Sequence, residues 1–321
     1  MILSMKPPYD ITTKILKLIS SISEKIGEVN ANYLSNQSPQ LRKQNRIKTI
    51  QSSLQIEGNT LTEDQITALI ENKRVVGPEK DVVEVLNAIK VYNELNNYKL
   101  YAEKDFLKAH ASLMKGLIKN EGKYRNQSVG IVKGSKIEHI APPFQQVPYL
   151  MKDLFGCLKD DDELTLIKSC VFHYEMEFIH PFIDGNGRMG RLWQTVILLK
   201  DYPVFEFLPF ETLISETQEE YYKSLSRSDK SGKSTPFIEY MLGVFEKSLA
   251  QLLDYNNRIL KDTDRLEYFL NQGLKEFSRK DYMRVFKNIA SATASRDLKK
   301  GMELNLFKSA GQLNKTKYIV H

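Results

Sequence analysis

The sequence predicts a mainly α-helical protein that carries one small β-hairpin flap and ends in a separate small α+β module. Three observations carry this prediction. Apolar residues recur at three- and four-residue intervals through most of the first 250 residues, the period of helices buried on one side. One stretch, Gly122–Pro143, breaks that period: glycines bracket β-branched residues and Pro142-Pro143 ends it. The charge also changes sharply near residue 257. Asn257–His321 holds 14 Lys+Arg against 7 Asp+Glu, whereas the residues before it hold 32 against 33. The formal net charge of +6 therefore comes entirely from the last fifth of the chain, which suggests a module of its own with an anionic partner. The expected domains are a helical region at 1–100, a helical core at 101–250 and the basic module at 257–321.

Each element has a local reason. Thr62 followed by Gln65 is a capping box that opens the helix "EDQITALIEN". "VVEVLNAIKVYNEL" (Val82–Leu95) and "TLIKSCVFHYEMEFI" (Thr165–Ile179) keep the helical period, and Pro181 stops the second of them. "DGNG" (Asp184–Gly187) is turn chemistry, because glycine and asparagine accept left-handed backbone angles. "RMGRLWQTVILLK" then resumes helical spacing, which gives helix, tight loop, helix. "RSDKSGKST" (Arg227–Thr235) reads as a polar loop. Its "SGKST" resembles the end of a P-loop, but Arg227 stands where that motif needs glycine and no apolar strand precedes it.

In the C-terminal module Ser278 caps "RKDYMRVF". "SATASRDLKKGMEL" gives a second helix displaying Arg296, Lys299 and Lys300, and "LFKSAG" and "TKYIV" give two short strands with a basic turn between them. Helix, turn, helix, hairpin resembles a winged helix-turn-helix domain with "SATASRDL" as recognition helix. Its partner is DNA, or a protein if the module serves interaction or dimerisation.

Composition excludes several classes. The two cysteines, Cys157 and Cys170, belong to no CxxC pair, which argues against a disulfide framework or a zinc ribbon. The N-terminus lacks a basic region followed by an apolar run, and no apolar run approaches the ~20 residues of a membrane span. A soluble cytoplasmic protein is expected.

The densest chemistry is "HPFIDGNGRMGR", His180–Arg191. The loop ends at a helix N-terminus, where free backbone N–H groups and the helix dipole favour anions. Gly185, Asn186 and Gly187 let the backbone approach such an anion as a nest. Arg188 and Arg191 lie one helical turn apart, with planar forks suited to phosphate oxygens. That much positive potential fits a di- or triphosphate. Asp184 beside phosphates makes sense as a ligand to Mg²⁺, which takes one or two carboxylates plus phosphate oxygens. His180 has the basicity of a general base for a hydroxyl. Singly, each feature has an ordinary reading: a packed or capping histidine, a plain turn, a solvated arginine pair. Their coincidence within twelve residues favours transfer of a phosphate-containing group from a nucleotide to a hydroxyl. The residues alone do not separate nucleotidyl from phosphoryl transfer.

The stretch matches HPFxDGNGRxxR, the signature of the Fic (filamentation induced by cAMP) family, at every defined position. "GKYRNQSVGIV", "IAPPFQQVPYLMKDL", "LPFETLISETQEEYYKSL" and "PFIEYML" resemble the segments that flank the motif, so the resemblance covers about residues 40–245. It implies a helical Fic core at 101–250 and transfer of AMP from ATP to a Ser, Thr or Tyr hydroxyl of a target protein. In that reading His180 deprotonates the hydroxyl, Asp184 coordinates Mg²⁺, and Gly185, Asn186 and Gly187 form the anion hole. Arg188 contacts the departing phosphates, Arg191 holds the γ-phosphate, and Phe182 anchors the loop in the core. Glu138, His139 and Ile140 of the flap align the target by strand addition.

Upstream, "SSLQIEGN" is similar to the family's inhibitory motif [ST]xxxE[GN], with Ser53, Glu57 and Gly58 at its defined positions. Ser53 and Glu57 are i, i+4, so on a helix they face one way. By itself Glu57-Gly58 is an ordinary helix end with a glycine cap. Upstream of a complete motif, the resemblance implies the class with an N-terminal inhibitory helix, in which Glu57 pairs with Arg191 and blocks the γ-phosphate. Two alternatives stay open: a nucleotide-sensing regulator that binds DNA or a partner, and removal of AMP using Glu57. Self-modification and a homodimer also stay open.

Overall fold

A computed structural model describes residues 7–32, 39–133, 136–159, 162–257, 262–270, 274–286, 289–311 and 316–320. The chain divides into two units, Met1–Leu253 and Asp254–His321.

The first unit is helical. It contains α1 (Thr13–Asn32), α2 (Pro39–Gln55), α3 (Glu63–Ile70), α4 (Glu79–Asn93), α5 (Glu103–Leu113), α6 (Val147–Cys157), α7 (Thr165–Ile179), α8 (Asn186–Leu198), α9 (Phe210–Glu216), α10 (Gln218–Ser231) and all but the last four residues of α11 (Thr235–Asn257). Thr62 caps α3 through the expected box, its hydroxyl accepting from the Gln65 N–H while Gln65 Oε1 accepts from the Thr62 N–H. Between α5 and α6 a hairpin pairs β1 (Gly130–Lys133) with β2 (Lys136–Ile140) in antiparallel register.

Two buried clusters pack the helices. One gathers Phe106, Phe155, Phe172, Phe182 and Trp193 with apolar residues of α2 and α4. The other gathers Ile15 and Ile22 of α1 with Phe205, Phe210, Phe237 and Phe245. Helix α7 serves both: Phe172, Met176 and Ile179 face the first cluster, and Leu166, Cys170 and Tyr174 the second. A helix apolar on all sides is a buried one. The loop that leaves its C-terminus therefore starts from one of the most constrained points in the unit.

The second unit contains α12 (Asp262–Leu270), β3 (Glu276–Ser278), α13 (Arg279–Val285), α14 (Ser291–Glu303), β4 (Phe307–Ala310) and β5 (Lys317–Val320), with antiparallel strand order β3-β5-β4. Ser278 caps α13 as its sequence requires. A small core of Leu266, Phe269, Phe277, Tyr282, Leu298 and Phe307 holds the unit. Beside it Arg265 grips Asp297 with two parallel bonds, Nε–Oδ2 at 2.6 Å and Nη2–Oδ1 at 2.7 Å, and the Tyr282 hydroxyl donates to the same carboxylate. This fork ties α12, α13 and α14 together.

Three sequence expectations change. "RSDKSGKST" is not a loop throughout: α10 runs through Arg227 to Ser231, and left-handed Gly232 caps it. Burial of Tyr221, Ser224 and Ser228 on one side of α10 overrides the loop-like composition of its end. The helix from Glu63 stops at Ile70, before the Glu71-Asn72 of "EDQITALIEN". Strand β3 had no periodicity to announce it, being three residues long. The basic turn expected between the last two strands falls at 312–315, outside the described residues. Among the described residues no helix is long and apolar enough to cross a membrane.

Candidate active site

The site forms where α7 ends and α8 begins. His180 caps α7 in the left-handed region (φ 49°, ψ 61°), because Pro181 disfavours continued helix at the residue before it. A non-glycine residue there is strained and must be held by its surroundings. Its N–H donates to the Met176 carbonyl at 3.0 Å, and its carbonyl accepts from Arg125 Nε at 2.8 Å. Arg125 is buried and also donates to the carbonyls of Ile179, Gln127 and Pro142, while its own N–H donates to the Pro181 carbonyl at 2.8 Å. One guanidinium thus fastens the loop to the base of the hairpin.

Phe182 anchors the loop. It is fully buried, lies flat on the His110 ring at 3.6 Å between centroids, and stacks on Phe106 at 5.5 Å. His110 Nδ1 accepts from the Gly122 N–H at 2.9 Å, so Nε2 carries the proton and donates to the Asp184 carbonyl at 3.0 Å. Burial lowers the His110 pKa to about 4, which keeps this tautomer neutral. Asn186 closes the turn: its amide accepts from the Phe182 N–H and donates to the Phe182 carbonyl, both at 2.9 Å. The Asn186 side chain is therefore used as a clamp, and only its backbone remains for an anion.

The folded value for His110 lies below the ordinary 6.5 of the unfolded chain. Its contribution to stability is complete above about pH 6.5. That contribution is lost as pH falls toward 4, because the unfolded chain takes a proton that the fold refuses. His173, depressed to about 3 by burial, acts in the same direction. Thermal unfolding between pH 7 and 4 is expected to show a falling midpoint, and His110→Gln should flatten part of that fall. An equal slope in the variant removes His110 from this account.

The two motif arginines go to different partners. Arg188, on the first turn of α8, donates from Nη2 to Asp184 Oδ1 at 2.9 Å and from Nη1 to Glu84 Oε1 at 3.1 Å. Arg191 is 0% exposed and donates from Nε to the Ser53 hydroxyl at 3.1 Å. Its Nη2 donates to the Ser53 carbonyl and to Glu57 Oε1, each at 2.8 Å. Burial works against the Arg191 charge, but the Glu57 carboxylate outweighs it and holds the guanidinium above its ordinary pKa. Behind it Glu211 is fully buried, and burial pushes its carboxyl up to about 8. Burial thus shifts Glu211 toward its neutral form, while the carboxylate hydrogen-bonded to Arg191 is Glu57.

Glu57 does not lie on the helix, as its i, i+4 spacing from Ser53 predicted, but in the turn that ends α2. The Gly58 N–H donates to the Gln55 carbonyl, the Asn59 N–H donates to the Leu54 carbonyl, and Gly58 has φ 92°. This is a Schellman cap. The ordinary reading of Gly58 and the pairing of Glu57 with Arg191 are therefore both true of one turn.

Gly187 does not take the left-handed conformation that its turn chemistry suggested. It is helical, and its need for glycine is steric: a Cβ there would lie 2.4 Å from Glu57 Oε1 and 3.2 Å from Arg191 Nη1. The Glu57 carboxylate therefore rests against the first turn of α8, at the anion nest read from the sequence. Among the described residues, Arg191 Nη1 and Arg188 Nε are buried donors without a hydrogen-bond partner. Unsatisfied buried cationic donors beside a helix N-terminus suit an anion with several oxygens.

Asp184 is half-exposed, and among the described residues both of its carboxylate hydrogen bonds fall on Oδ1, from the Gly185 N–H and Arg188. No cluster of three or more His, Cys, Asp or Glu among the described residues could hold a metal unaided. A single accessible carboxylate is the donor set that suits Mg²⁺ drawing its other ligands from phosphates and water. Glu138, His139 and Ile140 lie on β2, where His139 pairs with Ile131, Ile140 pairs with Gly130, and Glu138 is the extra residue of a bulge. A separate cavity of about 260 Å³, lined by Arg42, Lys43, Arg46 and Phe207 among others, contains none of these residues.

A model of the Fic/DOC family matches residues 100–198. Among solved structures, a Fic family protein from Desulfovibrio desulfuricans G20 is similar over 99% of this chain and 98% of its own, at 39% identity and a TM-score of 0.78. Fic-1 (residues 134–508) from Caenorhabditis elegans shares the fold over 75% of this chain and 72% of its own, at 23% identity and a TM-score of 0.62. Among curated proteins, the protein adenylyltransferase Fic of Drosophila mojavensis is 26% identical over 242 residues, 72% of this chain and 46% of its own length. That of Nematostella vectensis is 26% identical over 253 residues, 74% of this chain and 56% of its own. The chain thus spans about half the length of the curated relatives it matches.

Proposed function

The chain belongs to the Fic family, and on that premise we propose that it is a protein adenylyltransferase restrained by its own Glu57. One observation carries the reading: a carboxylate from α2's cap occupies Arg191 and rests on the first turn of α8, where a nucleotide's terminal phosphate would bind. In the reaction, His180 takes the proton of a Ser, Thr or Tyr hydroxyl as its oxygen bonds to the α-phosphorus of ATP, and the bond to pyrophosphate breaks. Arg188 and Arg191 bind the departing phosphates, and the backbone of Gly185, Asn186 and Gly187 cradles them. Asp184 would hold Mg²⁺, which when bound neutralises phosphate charge. The hairpin offers β2 for main-chain pairing with the target segment, around Glu138–Ile140.

Mass spectrometry of the Glu57→Gly protein incubated with ATP and Mg²⁺ tests the reaction class. An added AMP, on the protein itself or on a lysate protein, supports it; an added phosphate or no adduct overturns it. Use of Glu57 to remove AMP rests on the same site and is read by loss of that adduct from wild-type protein.

A second reading concerns the C-terminal unit alone. Helices α13 and α14 with the β4–β5 pair support a winged helix, and exposed Ser291, Ser295, Arg296 and Lys299 give α14 a basic polar face. We propose duplex DNA as its partner. Retention of the full chain on duplex DNA should weaken as salt rises, and Arg296→Glu with Lys299→Glu should abolish it. Retention that ignores salt, or survives both substitutions, points instead to a protein-interaction module.

A further inference from the structure

Glu84 has no place in the signature, yet it stands at the centre of the buried polar network beside it. The Arg188–Glu84 pair is almost wholly enclosed, its side chains 4% and 5% exposed. Oε1 of Glu84 accepts from Arg188 at 3.1 Å, and Oε2 accepts from Asn59 Nδ2 at 2.9 Å. Asn59 follows Gly58 directly, and the same amide donates to the Asp81 carbonyl at 3.1 Å. The next residue, Thr60, donates from its N–H to Asp81 Oδ2 at 2.9 Å and from its hydroxyl at 2.6 Å. The first turns of α4 therefore grip the chain just after Glu57, and Glu84 carries that grip to Arg188.

We infer that Glu84 is a positioning residue with two attachments: it orients Arg188 for the phosphates, and it ties the turn bearing Glu57 to that arginine. The inhibitory segment is thereby latched to both motif arginines, to Arg191 directly and to Arg188 through Glu84. The physical case is that a buried guanidinium with two carboxylate partners is fixed in plane. Asp184 is the partner that gives way when it serves Mg²⁺. Glu84 is the partner that stays, so Arg188 keeps its direction while Nη2 and Nε become available to phosphate. Removing Glu84 leaves a buried cation without that brace.

This inference rests on the adenylyltransferase reading, and the experiment separates the two. In the Glu57→Gly protein, Glu84→Ala is expected to lower kcat/KM for Mg-ATP about tenfold, chiefly through KM. Glu84→Gln, which keeps an acceptor without the charge, should recover part of that loss. Asn59→Ala is expected to raise AMP incorporation severalfold in the otherwise intact chain and to leave the Glu57→Gly protein unchanged. A Glu84→Ala value within twofold of its parent, or a rise, overturns the positioning role. An Asn59→Ala effect equal in both backgrounds overturns the tie. If Glu84→Ala does not fold, Glu84→Gln and Asn59→Ala still decide both points. If Glu57→Gly itself takes up no AMP, the adenylyltransferase reading fails by itself. Calorimetry of Mg-ATP binding then reads Arg188 directly, and equal affinity with and without Glu84→Gln overturns the inference.

Discussion

Replacing Glu57 by glycine is expected to raise incorporation of label from α-labelled ATP at least tenfold. A tenfold rise corresponds to ~1.4 kcal/mol at the transition state. The geometry makes that a modest demand. Glu57 Oε1 accepts from Arg191 at 2.8 Å, and Arg191 is fully buried with one donor still unpaired. Arg191 is buried but Glu57 keeps a quarter of its side chain in solvent, so taking Glu57 away leaves a buried guanidinium short of its carboxylate at a cost below the roughly 3–5 kcal/mol of a fully buried pair. A γ-phosphate arriving at the same guanidinium would relieve that cost, so the variant is expected to gain affinity for the group that Glu57 is proposed to exclude. Sterics add to the effect: the carboxylate lies against Gly187, on the first turn of α8 where the terminal phosphate is proposed to bind. The variant should therefore unfold at lower temperature without nucleotide and recover when Mg-ATP is added. Labelling no better than wild type sinks the idea that this residue restrains the enzyme.

The site was legible in the sequence where its causes are local. The end of α7 at Pro181, the Thr62 and Ser278 caps, and the loop–helix geometry of the motif all follow from residues within one turn of each other. Partners that arrive from elsewhere left no local trace. Glu84 sits in "EKDVVEVL", where a glutamate reads as solvated helix face; it becomes a buried partner only because α4 packs beside α8's first turn. Arg125 falls within Gly122–Pro143 with no pattern that singles it out, and its guanidinium reaches carbonyls as far as His180, 55 residues on. His110 carried no signal beyond an apolar neighbourhood on α5. Glu57 is the intermediate case. Spacing placed Ser53 and Glu57 on one side of a helix, and they do meet one arginine. They meet it because Gly58 ends α2 and turns Glu57 inward, a capping effect that the periodicity argument did not contain. Gly187 reads from sequence as a turn glycine and as part of an anion nest; its close approach to Glu57, some 130 residues away, is a property of two segments that no local pattern carries.

Replacing His180 by alanine in the Glu57→Gly protein is expected to lower AMP incorporation by 10²–10⁴-fold, the usual loss when a positioned general base is removed. Mg-ATP affinity should stay within about twofold, because the groups proposed to hold nucleotide are Arg188, Arg191 and the backbone of the motif turn. The left-handed backbone at His180 demands a control, since alanine tolerates φ 49° poorly. Asparagine enters that region readily and keeps the carbonyl that Arg125 holds. His180→Asn should therefore lose labelling to the same extent as His180→Ala while matching the parent in thermal unfolding. The comparison also separates enzyme from sensor. A nucleotide-sensing regulator needs the two arginines and the anion cradle but has no use for a base, so its output would survive either substitution. Labelling that persists in both variants removes His180 as the base and shifts the site to the sensing reading. Labelling lost only in the alanine variant, together with a lowered unfolding temperature, would place the defect in the loop's conformation and not in proton transfer.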